Sequence, residues 1–586
     1  MELAEYTINN QKDYILEELY KRKPDVLCFS CYIWNIDYVT DIAREYKKLC
    51  PSVPIWVGGP EVSYEVEAFL RENPYIDGVM IGEGEDTFRE LCGYYAHKRK
   101  LSDIAGIAFR KNSTGNSTSV NNIGGNKAGE IVFTSPRPIK NMSEIPFCYD
   151  TLDDFSNRII YYESSRGCPF SCSYCLSSVD KTLRFRDTEI VKRELKFFID
   201  QKVPQIKFVD RTFNCNHAHA MELWRFIKAN DNGVTNFHFE ISADLLNQEE
   251  LELISDMRPG LIQLEIGVQS TNEVTIKEIH RTMKLERLKE VVKLIQSGNN
   301  IHEHLDLIAG LPYEDYDSFG RSFDEIYELK PNQLQLGFLK VLKGSYMFEH
   351  AAEYGIVYHD KPPYEVMSTK WLSFDDVIKI KRVEDMLEVY YNSGQFEITM
   401  KLMECIFDSA FEFFQELGDF YEANGYFGMS HSRIRRCEIL LEFLALYLHG
   451  CDSDAMTSVV LSENAGDRDN TDFDENAIDR DNTDFDENAQ IYSMIQESLI
   501  FDLYYRENCK SRPRWATDIG SFKHMTHAYC KNGKLSHVEP FHYIFPDKHT
   551  RKLDGLPKYY KEPVWALFHY DMRDPLDHQA LVEYIE

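Results

Sequence analysis

Three cysteines, Cys168, Cys172 and Cys175, stand at Cys-x3-Cys-x2-Cys spacing in the run Ser165-Arg-Gly-Cys-Pro-Phe-Ser-Cys-Ser-Tyr-Cys-Leu, directly after an apolar segment of strand character near 158–164. A loop this short can bring three thiolates around one centre. On a [4Fe–4S] cube, three protein thiolates leave one iron without a protein ligand, and that open iron is where a substrate or cofactor can bind. Two plainer readings stand beside it. A structural zinc ion wants a fourth Cys or His, and none lies within the loop. Three buried thiols that hold no metal are the other.

The loop opens a long series of alternating apolar runs and helical patterns, with strands expected near 158–164, 205–210, 237–242, 261–267, 301–307 and 333–340. Between them lie helical stripes such as Leu288, Val291, Val292 and Ile295. Six such units suit a partial (β/α)6 barrel, although an open doubly wound sheet would produce the same alternation. The first hundred residues repeat the theme. Strands are expected at Asp25 to Ser30, Val53 to Gly58 and Asp77 to Ile81, with a further edge strand at Glu2 to Ile8. Val39, Ile42, Ala43 and Tyr46 mark one helix face, and Thr87 with Glu90 reads as a capping box.

Other stretches have a different character. Asn112 to Gly129 is rich in Ser, Asn and Gly and predicts a mobile loop inside a hairpin. Beyond Lys370 the pattern is helical to about Ser458. The unit DRDNTDFDENA then occurs twice, at Asp467 to Ala477 and Asp479 to Ala489, and its acidity predicts a solvated, disordered loop. It lacks the Gly and Glu positions of a calcium-binding EF-hand. The expected organisation is an N-terminal domain at 1–103, a linker at 104–152, the barrel at 153–345, a helical region at 346–460, the acidic loop at 461–489 and an α/β extension at 490–586.

At the cysteine loop the chain resembles the radical S-adenosylmethionine (SAM) superfamily, whose Cys-x3-Cys-x-aromatic-Cys motif it matches at Cys168, Cys172, Tyr174 and Cys175. The resemblance implies that SAM chelates the open iron and is cleaved by one electron to a 5′-deoxyadenosyl radical. It also implies contacts to SAM from Tyr174, from Asp210 in Phe-Val-Asp-Arg, from Glu240 in Phe-Glu-Ile-Ser, from Gln269 in Gly-Val-Gln-Ser, from Arg281, and from Asp306 in Asp-Leu-Ile-Ala-Gly-Leu-Pro. These types suit the work: carboxylates accept from an ammonium or ribose, Gln bonds ribose, and Arg grips a carboxylate. His302 and His304, flanking Glu303, read instead as an outward-facing pair.

The N-terminal domain resembles the cobalamin-binding domain that precedes the barrel in one class of these enzymes, a Rossmann-like (flavodoxin-like) α/β fold. The matching residues are Ser30 at a strand end, Gly58 and Gly59 after the next strand, and Gly82 and Glu83 in Gly-Glu-Gly-Glu after the third. The Asp-x-His-x-x-Gly motif that gives cobalt a histidine is absent, and the pattern begins near the fold's second element, so a truncated domain is expected. The C-terminal region looks like a domain of unknown function found in this class. The resemblance implies a cobalamin-dependent methyltransferase, with a non-methylating radical reaction (cyclisation, decarboxylation or rearrangement) or a cluster- or cobalamin-binding sensor as alternatives. It leaves the substrate and the catalytic residues open.

Composition bounds the partners. A formal net charge of −31 argues against nucleic acid, whose phosphates need a basic surface. No apolar run approaches the roughly 20 residues of a membrane helix, and Met1 to Asn10 carries no basic-then-apolar signal. The expectation is a cytoplasmic protein, with an electron donor such as a flavodoxin or ferredoxin as partner.

Overall fold

The structure, a computed structural model, describes residues 1–111, 129–149, 151–152, 155, 158–179, 181–449, 482–530, 535–546, 550, 552–553 and 555–585. The expected loop at 112–128 and the first acidic repeat lie outside the described residues.

The N-terminal sheet carries strands β1 (Leu27–Ser30), β2 (Ile55–Gly58), β3 (Gly78–Met80), β4 (Ile107–Lys111) and β5 (Glu130–Phe133), in that spatial order. The first three are parallel, and β4 and β5 add as antiparallel strands. Helix Ile36–Leu49 buries Ile36, Val39, Ile42, Ala43 and Tyr46, so the apolar stripe in the sequence is its packed face. Fully burying such a Val or Ile contributes about 1.5–3 kcal/mol. A separate cluster of Trp56, Met80, Leu91, Ile104 and Ile107 packs with helix Gly84–Tyr95.

Two expectations fail here. Residues 1–7 form no strand: Leu3 is exposed, and Tyr6 packs, partly buried, against the domain core. Thr87 is no helix cap: the turn at Gly82, with φ +75°, starts the helix at Gly84, which leaves Thr87 buried inside it. Its hydroxyl lies 3.4 Å from both the Glu83 and Ala105 carbonyls.

The second sheet is built from β6 (Ile160–Tyr162), β7 (Gln205–Phe208), β8 (Asn236–Ile241), β9 (Ile262–Gln269), β10 (His302–Ala309) and β11 (Gln333–Phe338). All neighbours are parallel and the spatial order follows the chain order. A doubly wound sheet reverses its order at a switch point; this one does not, so it is a partial barrel wall. The crossover helices start on Asp187, Asn216, Asn247 and Asp315, each side chain accepting from the first turn. On β9 the outward residues Ile262, Leu264, Ile266 and Val268 are buried under helices, while Gln263, Glu265, Gly267 and Gln269 face inward.

The C-terminal region supplies helices Phe374–Leu387, Glu397–Met403, Ala410–Ala423, Arg433–His449 and Asn482–Arg506. An antiparallel sheet of β12 (Ser536–Tyr543), β13 (Tyr559–Arg573) and β14 (Ala580–Ile585) follows. The last long helix begins at Asn482, within the second acidic repeat, so residues 482–489 are helical where a loop was expected. This region covers the barrel's free edge. The Asn392 amide accepts from Leu334 N at 3.0 Å and donates to Leu334 O at 2.8 Å, satisfying backbone groups of the edge strand β11.

Candidate active site

The cysteine loop is clasped at its base by a two-stranded hairpin that pairs Ser165 with Phe185 and Arg166 with Arg184. Gly167, at φ +96°, makes the first bend; a Cβ there would press on the Thr182 carbonyl. Cys172 is buried, and burial pushes its thiol pKa up; Cys168 and Cys175 are part-exposed. The loop is braced from two directions: Ser173 N donates to Ile279 O and Met347 N donates to Ser173 O, both at 2.9 Å. Among the described residues no group of three or more His, Cys, Asp or Glu is gathered closely enough to hold one metal ion.

Of the residues expected around SAM, three converge. The Arg281 guanidinium lies 3.3 Å from the Tyr174 hydroxyl, 3.8 Å from Cys172 Sγ, and donates to the Gly267 carbonyl. Gln269 sits at φ +75°, in the left-handed region at the end of β9, and folds back over Gly267. A Cβ at 267 would overlap the Gln269 amide and lie 3.5 Å from Arg281 Nη2, so a larger residue there would push the Gln269 side chain out of this position. Gln269 Oε1 and Arg281 Nε are buried without a hydrogen-bond partner. An orphaned acceptor and donor beside the cysteine loop fit a polar ligand.

Glu240 and Asp306 face the barrel interior below. Burial pushes the Glu240 carboxyl up to about 7; the cation nearest it is Arg211, at 4.0 Å. Burial also raises Asp306, opposed by His304 at 3.1 Å. Asp210 is placed differently. It is fully buried and accepts from Ser164 N at 2.8 Å, Ser164 Oγ at 2.7 Å and Ser165 Oγ at 2.5 Å. Its bonds hold the strand leading into the cysteine loop.

Several polar groups here were not singled out from the sequence. Glu265 pairs with Lys207 at 3.0 Å and His238 at 2.9 Å; burial opposes its ionisation, yet these partners hold it down at about 2. His304 is buried and aimed inward, which corrects its reading as a surface residue; His302, on the same strand face, is half-buried with its Nδ1 enclosed. The signal was available, since period-2 polar residues on strands covered by helices must point into a barrel.

In the N-terminal domain the small residues divide into two kinds. Gly58 lies against Met80, and at Gly59, φ +120°, a Cβ would collide with the Cys31 carbonyl, so packing inside the sheet explains both. Gly82 and Gly84 border open space, with no atom within 4 Å of where a Cβ would stand. Ser30 is exposed at the end of β1, and just beyond it Tyr32 and Trp34 stack on the surface with ring centroids 4.5 Å apart. Open backbone at Gly82 and Gly84 and the flat surface rings of Tyr32 and Trp34 are each features that suit a large planar ligand. Glu83 and Glu85 turn away from that space and bond the cysteine hairpin: Arg184 Nη2 reaches Glu83 at 2.6 Å and Arg166 Nη2 reaches Glu85 at 2.9 Å.

Comparison with known proteins agrees with this architecture. Residues 162–326 match the Radical SAM superfamily, residues 2–92 match the B12 binding domain, and residues 352–572 match a protein of unknown function (DUF4080). The chain is 28% identical over 330 residues to the cobalamin-dependent radical SAM methyltransferase TokK of Streptomyces tokunonensis, covering 52% of this chain and 45% of TokK. It is 22% identical to the anaerobic magnesium-protoporphyrin IX monomethyl ester cyclase of Rubrivivax gelatinosus, covering 55% of this chain and 57% of the cyclase. The chain thus spans about half the length of these relatives. The fold is shared with the cobalamin-dependent S-adenosylmethionine radical enzyme OxsB at TM-score 0.51 and 16% identity, over 85% of this chain and 75% of OxsB. The chain thus carries a B12-binding domain ahead of a radical SAM barrel that opens on the cysteine motif, the domain arrangement of the radical SAM class with a B12-binding domain.

Proposed function

We propose that this chain is a cobalamin-dependent radical SAM methyltransferase. The observation that carries the reading is the direct bonding of the cysteine hairpin to the Gly82–Glu85 turn, which sets the two ligand-facing loops side by side. In this reading Cys168, Cys172 and Cys175 hold a [4Fe–4S] cluster. Tyr174, Gln269, Arg281, Glu240 and Asp306 bind SAM, and the open backbone at Gly82, with Ser30 at the end of β1, receives the corrin. When bound, the cluster supplies the electron that cleaves SAM and the corrinoid supplies methyl-transfer chemistry.

The chain's own residues have definable tasks. Arg281, already donating to Gly267 O, offers its orphaned Nε to an anionic group such as a carboxylate. Gln269 Oε1 is an acceptor for a hydroxyl, and Glu240 and Asp306 accept from cationic or hydroxyl groups. The outer faces of β7–β10 pack under helices, which leaves the alternate polar side chains to the barrel interior. Asp210 acts through Ser164 and Ser165 and positions the loop.

A second reading, a non-methylating radical cyclisation, is kept because the matched relatives include a cyclase. Either reaction needs a substrate and a one-electron donor such as a flavodoxin or ferredoxin. Thirteen described cysteines are unbridged and no described helix is long and apolar enough to cross a membrane, which supports a reducing, cytoplasmic setting.

Anaerobic reconstitution with iron and sulfide, then reduction with SAM and hydroxocobalamin, tests the proposal. The expected products are 5′-deoxyadenosine and, with cobalamin, S-adenosylhomocysteine. Cys168→Ala, Cys172→Ala and Cys175→Ala are each expected to abolish 5′-deoxyadenosine. Full activity in any of them overturns the cluster assignment; 5′-deoxyadenosine without cobalamin uptake favours the non-methylating reading.

A further inference from the structure

We infer that Arg166 is a positioning residue that locks the cluster-bearing hairpin onto the Gly82–Glu85 turn of the N-terminal domain, so that both loops hold one register. The inference rests on the proposed reading of that turn as the corrin-facing one.

Arg166 stands two residues before Cys168 on the first strand of the hairpin. Its guanidinium engages three carboxylates. Glu163, on its own segment, is held at both oxygens, with Nε at 3.0 Å and Nη2 at 2.7 Å. The other two come from the N-terminal domain: Glu85 at 2.9 Å and Glu83 at 3.1 Å. The second hairpin strand repeats the pattern, as Arg184 reaches Glu83 at 2.6 Å and the Lys140 carbonyl at 2.9 Å. Both strands that frame the cysteine loop therefore end on the same glutamate.

The partners are largely enclosed. The Arg184 side chain is 13% exposed, Glu83 22% and Arg166 25%, so screening by water is limited. The planar fork of arginine suits this task, because it presents donors to several carboxylates at fixed angles, which a lysine cannot match. Glu83 and Glu85 alternate with Gly82 and Gly84, whose Cα atoms border open space. The turn thus offers bare backbone on one side and carboxylates on the other. A ligand settling on the glycines would be felt by the cysteine loop through a single layer of side chains.

The other glycine turn is tied in the same manner. Glu61, after Gly59, accepts from the Tyr364 hydroxyl and lies 3.9 Å from Lys343, both in the segment that follows the barrel. Glu5 pairs in addition with Arg158 at 2.8 Å, and among these ties the Arg166 and Arg184 bonds are the ones on the cysteine hairpin.

The test is hydrogen–deuterium exchange on the cluster-loaded, full-length protein, comparing wild type with Arg166→Gln, Arg166→Lys and the double variant Glu83→Gln/Glu85→Gln. A lost charge-assisted bond of about 1.5–3 kcal/mol predicts exchange at least about tenfold faster. That acceleration is expected in both segments, 165–185 and 82–95, whether the hairpin or the turn is altered. Iron content should match wild type, and Arg166→Lys should fall between. Hydroxocobalamin should protect the hairpin in wild type and not in Arg166→Gln. The inference is overturned if each variant opens only its own segment, or if hydroxocobalamin protects the hairpin equally in both. If wild type loads its cluster but takes up no corrinoid, the methyltransferase reading fails, while the two-segment comparison still decides the lock.

Discussion

Asp210 offers a sharp test, because the sequence resemblance and the structure assign it different partners. By resemblance it faces SAM; in the fold it is enclosed and accepts three hydrogen bonds from Ser164 and Ser165. Burial raises its carboxyl to about 6 from 3.8, against the pull of those bonds. An acid whose folded pKa is raised stabilises the fold while neutral, below about pH 4, and loses that contribution as pH climbs through about 6. Above that, the native state carries a charged buried carboxylate at a cost of about two pKa units, or about 3 kcal/mol. Asp210→Asn keeps an acceptor for the Ser164 amide, and both hydroxyls can reverse to accept from its NH2, Ser164 Oγ turning toward His219 at 3.1 Å. It should therefore stabilise the chain by about 1–2 kcal/mol at pH 7.5, the gain fading as pH falls toward 4.5. Asp210→Ala orphans the Ser164 amide and the Ser165 hydroxyl at about 1–3 kcal/mol each. Relief of the buried charge offsets about 3 kcal/mol of this, for a net change between a gain of about 1 and a loss of about 3 kcal/mol at pH 7.5. Anaerobic urea unfolding followed by tryptophan fluorescence measures both, with SAM binding measured in parallel. The reasoning fails if Asp210→Asn is destabilised by more than about 1 kcal/mol at pH 7.5. It fails equally if the variant keeps wild-type stability while its SAM affinity drops tenfold or more, for then the carboxylate faces the ligand.

The barrel was legible because its signals are local. Strand runs and stripes such as Leu288 to Ile295 each lie within a few residues of one another. Monotonic strand order is not local, and only the structure separates the barrel from an open sheet. Among site residues, motif position located Cys172, Tyr174, Gln269 and Arg281, which do converge. It could not reveal that Asp210 spends its acceptors on two serines, or that Gly59 answers to the Cys31 carbonyl, since these depend on which segments fold together. Glu83 shows the same limit. A glutamate between glycines reads as part of a ligand turn, yet its partners Arg166 and Arg184 lie more than eighty residues away in sequence. Thr87 marks the opposite failure, a correct local pattern overruled by a glycine turn that began the helix one turn early.

Two further perturbations separate packing from function. Gly59→Ala forces a Cβ into the Cys31 carbonyl at φ +120° and should destabilise the chain by about 2 kcal/mol or more in thermal unfolding. Gly84→Ala, at an open helix start, should be neutral or stabilising by up to about 1 kcal/mol. Gly84→Leu should keep that stability yet reduce hydroxocobalamin uptake in difference spectra; unchanged uptake refutes a ligand at this turn. The last perturbation reaches the barrel floor. Glu265, held at about 2, contributes stability that is present above its ordinary value of 4.5 and is lost only as pH falls toward 2. Glu265→Gln should therefore cost about 2–3 kcal/mol at every pH from 5 to 8, a flat profile in urea unfolding. Its charge also acts on a neighbour. Glu240 lies beside it in register, and after burial and Arg211 the Glu265 charge is the next influence on Glu240, pushing its carboxyl upward. Removing that charge also leaves Lys207 without its counter-ion, and both changes favour ionised Glu240. If ionised Glu240 is needed to bind SAM, the acid limb of SAM cleavage should move to lower pH in Glu265→Gln, whereas an unmoved limb would show that Glu240 does not govern it.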